Sequence, residues 1–245
     1  MQLFKIASVT AIALTLGACQ SLFQPNYQKP LETTRDASEQ LKAGCTTPPD
    51  CPLVNIDTLR FPAEPALDGI IEKRLLQMTD APTAPTLAAY REQFLRDAAP
   101  HYGSYLQAKV REQHDGLVII ELSSYLDTGD EHGKPGRGFI NYSRQQHQVL
   151  ELQQMLKPGQ EEVFWNAAKV AHNSWLINSR LDQEPEFVKA WPFQKTPNVA
   201  LTQAGVLLKY NVSTIAPYAL GNIELTIPYT RLNGILKPEL FPGRN

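Results

Sequence analysis

The tripeptide His114-Asp115-Gly116 separates two segments that have the composition of β-strands. Residues 104–112 alternate between apolar and polar side chains, and residues 117–127 (LVIIELSSYLD) are strongly strand-like. An Asp-Gly pair in this position favours the tight turn of a β-hairpin. The sequence therefore predicts an antiparallel pair of strands near the middle of the chain.

Helical and strand patterns alternate along the rest of the sequence. Apolar residues recur at helical spacing over residues 66–78, 87–98 and 161–178, and Thr86 is placed to cap the second of these helices. Nineteen prolines in 245 residues argue against an all-helical bundle. These patterns predict an α+β fold in which helices pack on a mostly antiparallel sheet. Further strands are expected over residues 139–143, 198–201, 206–211 and 223–228.

The first eighteen residues have the composition of a secretory signal peptide. Lys5 precedes an apolar run, Ile6 to Leu16, that is shorter than the roughly 20 residues of a membrane-spanning helix. The run ends in Leu16-Gly17-Ala18-Cys19, which resembles the lipobox of bacterial lipoproteins. The resemblance implies cleavage before Cys19 and acyl chains on the Cys19 thiol and the new amino terminus. The alternative is an ordinary signal peptide in which the cysteine occurs by chance.

Gln20 follows the predicted lipidation site, where lipoproteins retained in the inner membrane carry Asp. We therefore expect a lipid-anchored protein of the Gram-negative outer membrane that faces the periplasm. Cleavage would remove Lys5 and leave 22 basic against 25 acidic side chains, which gives a formal charge of −3. The sequence has no basic stripe of the kind that binds nucleic acid, so no nucleic-acid partner is expected.

Residues 19–55 are predicted to form a lipidated, disordered tether. They are polar, rich in Gln, Thr and Pro, and lack apolar periodicity. The sequence thus predicts three parts: a lipoprotein signal peptide (1–18), the tether (19–55) and a single α+β domain (56–245).

Cys45 and Cys51 lie within the predicted tether, and the five residues between them include two prolines. Because the export signal places these cysteines in an oxidising compartment, we expect a disulfide that closes a short loop. A zinc site would need two further ligands nearby.

The polar segment 128–138 contains four glycines and predicts a loop. It includes Asp130, Glu131 and His132, whose side chains are potential metal ligands. Adjacent side chains rarely point to one centre, so we predict a structural loop. In that loop Gly129 and Gly133 are expected to adopt positive φ.

No sequence motif identifies a catalytic site. There is no Gly-x-Ser-x-Gly elbow, no phosphate-binding glycine loop and no His-Glu-x-x-His spacing among the five histidines. No free thiol remains if Cys19 is lipidated and the other two cysteines are bridged. We therefore predict a protein that is not an enzyme and that has no metal site or cofactor. Two carboxylates brought together by the fold, as in glycosidases, remain an open alternative.

The most specific pattern lies in the C-terminal third of the chain. Residues 201–208 (LTQAGVLL) are followed by 215–221 (IAPYALG) and 223–229 (IELTIPY). Upstream, residues 124–133 (SYLDTGDEHG) and 139–142 (FINY) precede them in order. These motifs resemble the RsiV-type domain family, and the resemblance extends over roughly residues 61–240.

Members of that family are receptor or accessory domains at the bacterial cell envelope, and one is a lysozyme receptor. The resemblance implies a binding module whose ligand is a lysozyme-like muramidase or a peptidoglycan-related molecule. It also marks Gly129, His132, Gly133 and Tyr218 as a candidate ligand-binding or motif loop.

Tyr218 lies between two residues with restricted or unusual backbone conformations. Pro217 fixes φ, and Gly221 is expected in a conformation that other residues avoid. We expect this segment to hold Tyr218 between the two C-terminal strands in a structural role. In the alternative, the phenol is exposed and recognises a ligand.

Three functions are compatible with the sequence. The first is a lipid-anchored envelope binding protein. The second is an envelope hydrolase that acts on glycan or ester bonds. The third is a structural envelope-assembly lipoprotein with a stable protein partner and no glycan affinity.

Overall fold

The computed structural model of the chain describes residues 26–47 and 50–243. Within these residues the chain forms a six-stranded sheet in the order β1-β2-β3-β4-β5-β6, a three-stranded sheet in the order β7-β8-β9, and five α-helices. The strands are β1 (Thr34–Leu41), β2 (Leu53–Arg60), β3 (Gly103–His114), β4 (Leu117–Asp127), β5 (Lys134–Ser143), β6 (Gln148–Val149), β7 (Val199–Thr202), β8 (Gly205–Lys209) and β9 (Glu224–Ile227). The helices are α1 (Pro65–Leu76), α2 (Leu87–Asp97), α3 (Leu152–Met155), α4 (Glu161–Asn178) and α5 (Pro185–Ala190).

The predicted central hairpin is confirmed as β3 and β4. Asp115 and Gly116 adopt φ values of 46° and 75°, and a tight hairpin turn with two positive φ angles matches the twist of its strands. The pairs β3–β4 and β4–β5 are antiparallel. The pair β2–β3 is parallel, because α1 and α2 form a crossover between these strands. The predicted α+β fold with a mostly antiparallel sheet is therefore confirmed.

The prediction of a disordered tether is wrong from residue 34 onward. β1 and β2 lie in that segment and pair over eight residues. All eight side chains of β1 are exposed, so this edge strand lacks the apolar alternation by which a half-buried strand is recognised. The folded body therefore begins well before Ile56. The predicted lipidation site, Cys19, lies outside the described residues.

The predicted loop over residues 128–138 is wrong in its second half, because β5 begins at Lys134. Gly136 and Gly138 lie inside this strand on the side that faces the helices. A Cβ atom on Gly136 would lie 2.4 Å from Oγ of Ser124. These two glycines therefore allow close packing within a strand, although a segment so rich in glycine is typical of a loop.

One hydrophobic core lies between the six-stranded sheet and the helices α1 and α2. Thr86 caps α2 as predicted, since its hydroxyl accepts a hydrogen bond of 3.0 Å from the Ala89 amide. We call the sheet face that carries this core the inner face. The side chains buried in this core include Val54, Leu106, Ile120 and Ile140 from the strands and Leu67, Leu75, Tyr90 and Phe94 from the helices.

A second core lies on the opposite, outer face of the same sheet. Leu117 and Ile119 of β4 contribute to it from the large sheet, and β7–β9 and α4 cover them. The predicted helix over residues 161–178 is confirmed as α4, which packs Phe164, Trp165 and Ala168 into this core. The chain thus forms three layers. The six-stranded sheet lies in the middle, α1 and α2 cover its inner face, and β7–β9 with α4 cover part of its outer face.

Candidate functional site

The second layer covers only part of the outer face. Near the β3–β4 turn, His114 Nε2 donates a hydrogen bond of 2.8 Å to the Leu201 carbonyl. Asn141 donates to the Val199 carbonyl and accepts from the Leu201 amide, both at 2.8 Å. Both side chains are buried, and these bonds fix the small sheet on the half of the outer face that contains the turn.

In the described part of the chain, β7–β9 and α4 leave the other half of the outer face uncovered, and the β8–β9 connection borders it. The strand register places Tyr105 opposite Tyr125, and Gln107 opposite Ser123, which in turn lies opposite Arg137. Their neighbours in sequence, such as Leu106 and Leu122, are buried on the inner face. We call the surface formed by Tyr105, Gln107, Ser123, Tyr125 and Arg137 the open face.

Two tyrosines dominate one end of the open face. Tyr105 and Tyr125 are 40% and 37% exposed, and their ring centroids lie 6.1 Å apart at an interplanar angle of 54°. A Cβ atom on Gly103 would lie 2.8 Å from the Tyr105 ring, and one on Gly133 would lie 2.3 Å from the Tyr125 ring. The two glycines therefore allow both rings to lie against the backbone. Each ring keeps part of its surface available to a ligand.

The expectation that Gly133 adopts positive φ is wrong. Gly129 has a φ of 73°, as predicted, but Gly133 is not among the residues with positive φ. Its lack of a side chain is instead required by the Tyr125 ring.

Partial burial and the nearby charges of Asp127 and Glu39 raise the pKa of the Tyr105 phenol, which therefore stays protonated at neutral pH.

A polar cleft of about 300 Å³ adjoins the tyrosines. Its floor belongs to the large sheet, while the small sheet and the connection that precedes β9 contribute one side. The cleft is lined by Gln107, Lys109, Glu121, Ser123, Arg137, Lys209 and Asn222.

Two acidic and two basic side chains form a network along this cleft. Lys209 pairs with Glu121 and, at 2.9 Å, with Glu224. Arg111 pairs with the same carboxylates at 3.1 and 3.2 Å. Burial opposes ionisation of Glu224, but Lys209 and Arg111 outweigh it and hold the pKa of Glu224 below its usual range. The network is therefore internally neutral.

Lys109 and Arg137 supply the remaining charge of the cleft. Neither forms an ion pair with an acidic side chain in the described part of the chain. Asp57, across the sheet, is paired with Arg35 at 2.6 Å and accepts a hydrogen bond of 2.9 Å from Gln107. Its pKa is lowered mainly by Arg35, and the charge of Lys109 contributes to this shift. The cleft consequently carries excess positive charge beside the two tyrosines, although the whole chain is slightly acidic.

The structure brings together two residues of the predicted motif loop. The rings of His132 and Tyr218 stack with centroids 4.4 Å apart and an interplanar angle of 10°. Tyr218 begins a single 3-10 turn, Tyr218–Leu220, and is 38% exposed. The sequence analysis expects this side chain to be held between β8 and β9. The structure instead leaves it partly exposed. Gly221 adopts the expected positive φ, 69°.

The remaining predicted residues lie away from the open face or have structural contacts. Cys45 and Cys51 form the predicted disulfide in the β1–β2 connection. In the loop 128–133, Thr128 donates to Asp130, and the Gly129 amide donates to Asp127. Within residues 26–47 and 50–243, no three His, Cys, Asp or Glu side chains are grouped to hold a metal ion.

The sequence interpretation missed the residues of the open face. The available signal was weak, because Tyr105 and Tyr125 occupy the polar positions of two alternating strands, where single aromatic residues are common. Only the hairpin register places them opposite each other.

No helix among the described residues is both long enough and apolar enough to cross a membrane. No match was found among curated proteins. Residues 153–230 match a family described as a protein of unknown function, DUF3298. Solved structures of two bacterial proteins resemble the chain.

The first is a DUF3298 family protein from Pseudomonas aeruginosa PAO1, with 63% sequence identity and a TM-score of 0.87. The aligned region covers 89% of this chain and 100% of that one. The second is a DUF3298 member from Bacteroides fragilis NCTC 9343, which shares the fold at 16% identity and a TM-score of 0.66 over 87% of this chain and 96% of that one. Because identity to the first extends over its whole length, the chain belongs to the DUF3298 family.

Proposed function

We propose that this protein is a binding protein of the bacterial cell envelope and that the open face holds its ligand. The observation that carries the proposal is the pair of exposed tyrosines, Tyr105 and Tyr125, beside a polar cleft. Exposed aromatic rings that lie on a rigid sheet offer binding surface at little cost in conformational entropy. The lipobox that ends at Cys19 and the resemblance to envelope receptor domains support the location.

The charges of the cleft favour binding over hydrolysis. A general acid must hold a proton near neutral pH, which requires a raised pKa. The carboxylates of Glu121 and Glu224 are each paired with both Lys209 and Arg111, and the pKa of Glu224 is lowered. This environment suits an ionised structural carboxylate, so the proposal does not include catalysis.

The path of the N-terminal segment supports an orientation relative to the membrane. The backbone at Tyr27 and Lys29 accepts hydrogen bonds of 3.1 and 2.7 Å from Arg144, and Gln113 bonds to both backbone groups of Leu31. These contacts hold the segment near the β3–β4 turn. Tyr105 lies nine residue steps along β3 from His114, a distance of about 30 Å at ~3.3 Å per residue.

A lipid on Cys19 would therefore hold the turn end of the molecule near the membrane. The seven residue steps from Cys19 to Asn26 span about 25 Å at most. In this arrangement the open face points away from the outer membrane and into the periplasm. The proposed ligand is a lysozyme-like muramidase or a peptidoglycan-related molecule.

Binding of the mature chain to lysozyme and to purified peptidoglycan tests the proposal. We expect retention of one of these ligands, and the replacement of both Tyr105 and Tyr125 by Ser should abolish it. Ile177→Ala, an exposed apolar position on α4, serves as the control and should bind normally. If neither ligand binds at any salt concentration, and crosslinking instead yields a stable protein partner, the assembly function replaces the proposed one.

Fractionation tests the anchor separately. Cys19→Ala should leave the body folded but release it into the soluble periplasm or leave an uncleaved precursor at the inner membrane. A cleaved Cys19→Ala protein that stays with the outer membrane would contradict attachment through lipid.

A further inference from the structure

We infer that the open face binds an acidic saccharide, with a pyranose ring against Tyr105 and Tyr125 and its carboxylate held by Arg137, while Lys109 adds to the positive charge of the cleft. This inference rests on the proposed function and specifies the chemical class of its ligand. It follows from three observations: the shape of the tyrosine pair, the polarity of the cleft and the placement of its excess charge.

The tyrosine pair has the form of a platform. Gly103 and Gly133 let the rings of Tyr105 and Tyr125 lie against the backbone, because a side chain at either glycine would occupy the space that a ring fills. A pyranose presents C–H groups on one face, and these groups match the apolar surface of an aromatic ring. The phenol hydroxyls at the ring edges can then exchange hydrogen bonds with sugar hydroxyls.

The cleft beside the platform suits a hydroxylated ligand better than an apolar one. Every residue that lines it has a polar or charged side chain, including the neutral groups of Gln107, Ser123 and Asn222. An apolar peptide or acyl chain placed here would desolvate these groups without pairing them, which is unfavourable. A saccharide offers donors and acceptors to each of them.

The strand register places Arg137 in the row of outward-facing residues next to the tyrosine pair. Arg137 is two residues along β5 from Pro135, the position that pairs with Tyr125. Two residues of a strand span about 7 Å, which is comparable to the reach from a sugar ring to a carboxylate that it carries. One guanidinium nitrogen of Arg137 donates to the Gly136 carbonyl at 2.7 Å, and the others can bind a carboxylate.

The neutral network explains why an anion is tolerated next to acidic residues. The charges of Glu121 and Glu224 are compensated by Lys209 and Arg111. An incoming carboxylate therefore encounters the net charge of Lys109 and Arg137. A free anion without a sugar ring would lack the contact with the tyrosine platform, and a neutral sugar would lack the charge–charge attraction to the two cations.

Calorimetric titration of the mature chain with two sugars that differ in one carboxylate tests the inference. N-acetylmuramic acid carries a lactyl carboxylate, and N-acetylglucosamine has the same ring without it. We expect the acid to bind about tenfold more tightly, the contribution of one charge-assisted interaction. Arg137→Gln should remove this preference, so that the two sugars bind with similar affinity, because the guanidinium is the group that meets the carboxylate.

Variants of the platform give a second, independent result. Replacing Tyr105 and Tyr125 by Phe keeps the rings and should retain most of the affinity for both sugars, whereas replacing them by Ser should abolish both. Thermal unfolding of each variant reports whether the fold persists, and Ile177→Ala is the matched surface control. Equal affinity for the two sugars, or a preference that survives Arg137→Gln, would overturn the inference.

The outcomes separate this inference from the proposed function. If neither sugar binds but lysozyme is retained through the tyrosines, the open face is a protein-binding surface and the saccharide inference alone fails. If sugars, peptidoglycan and lysozyme all fail to bind, the proposed function fails with it.

Discussion

The imidazole ring of His132 lies flat against the phenol ring of Tyr218, with centroids 4.4 Å apart. His132 belongs to the β4–β5 connection of the large sheet, and Tyr218 to the β8–β9 connection of the small sheet. The stack therefore joins the two layers at the side of the molecule where Asn222 lines the cleft. Its physical role is to hold two exposed loops in a fixed relative position.

Substitution of Tyr218 separates a packing role from recognition by the hydroxyl. Tyr218→Phe keeps the stacked ring and should leave stability and ligand affinity unchanged. Tyr218→Ala removes the ring and should lower the free energy of unfolding by about 0.5–1.5 kcal/mol, the usual contribution of an aromatic pair. Urea unfolding measures both changes, and Leu220→Ala, an exposed neighbour in the same turn, is the control. A Phe variant that folds normally but binds ligand weakly would assign recognition to the hydroxyl.

Gly221 should be intolerant of a side chain because of its backbone conformation alone. Its φ and ψ are 69° and −153°, a region that residues with a Cβ avoid, and no atom lies within 4 Å of a Cβ built there. Gly221→Val should therefore lower stability by about 1–3 kcal/mol.

Gly69 provides the matched comparison for Gly221. It lies inside α1 with equal free space around a built Cβ and without positive φ. Gly69→Ala should raise stability by up to about 1 kcal/mol, since Ala is the better helix former. Thermal melts of the two variants are expected to shift in opposite directions, and an unchanged melt for Gly221→Val would contradict the backbone argument.

The sequence predicts most of the elements because their signals are local. The Asp115-Gly116 turn, the Thr86 cap and the periodicity of α4 each depend on residues a few positions apart. β1 has no such signal, since all its side chains are exposed. It is a strand only because β2 offers a free edge to pair with. This is why residues 34–41 have the composition of a tether and the structure of a strand.

The open face could not be predicted for a related reason. Tyr105 and Arg137 occupy solvent-facing positions that resemble those of any two-sided sheet. They become a distinct surface because the small sheet covers only the half of the outer face near the β3–β4 turn. The position of that second layer depends on long-range contacts such as Asn141 with Val199 and Leu201, which no local pattern specifies.

Asn141 should contribute strongly to the association of the two sheets. The residue is 4% exposed, and its side-chain amide pairs with one carbonyl and one amide of β7. Asn141→Leu fills a similar volume but leaves the Val199 carbonyl and the Leu201 amide buried and unpaired. The free energy of unfolding should therefore fall by about 1–3 kcal/mol for each of these two groups. Urea unfolding checks this. Asn233→Leu, at an exposed position, should change stability by less than about 0.5 kcal/mol, and equal effects at the two positions would refute the assignment.

Glu224 should make stability sensitive to acid. Burial alone would raise its pKa, but the hydrogen bonds and charges of Lys209 and Arg111 outweigh burial and lower it in the folded state. The unfolded chain therefore binds a proton at Glu224 more readily than the folded chain does. The stabilisation is complete above the ordinary glutamate pKa of about 4.3 and is lost as the pH falls through the lowered folded-state value.

Urea unfolding at pH 7 and at pH 3 measures this contribution. Because the Glu224 side chain is 33% exposed, solvent screening limits the effect, and we expect Glu224→Gln to cost about 1 kcal/mol or less at pH 7. At pH 3 the carboxyl of Glu224 is protonated in most unfolded chains, so part of the stabilisation is already lost and the difference between wild type and variant should shrink. Glu239→Gln, at an exposed position, should cost little at either pH. A Glu224→Gln penalty that stays constant between pH 7 and pH 3 would show that the loss comes from altered packing and that the ion pairs with Lys209 and Arg111 do not stabilise the fold.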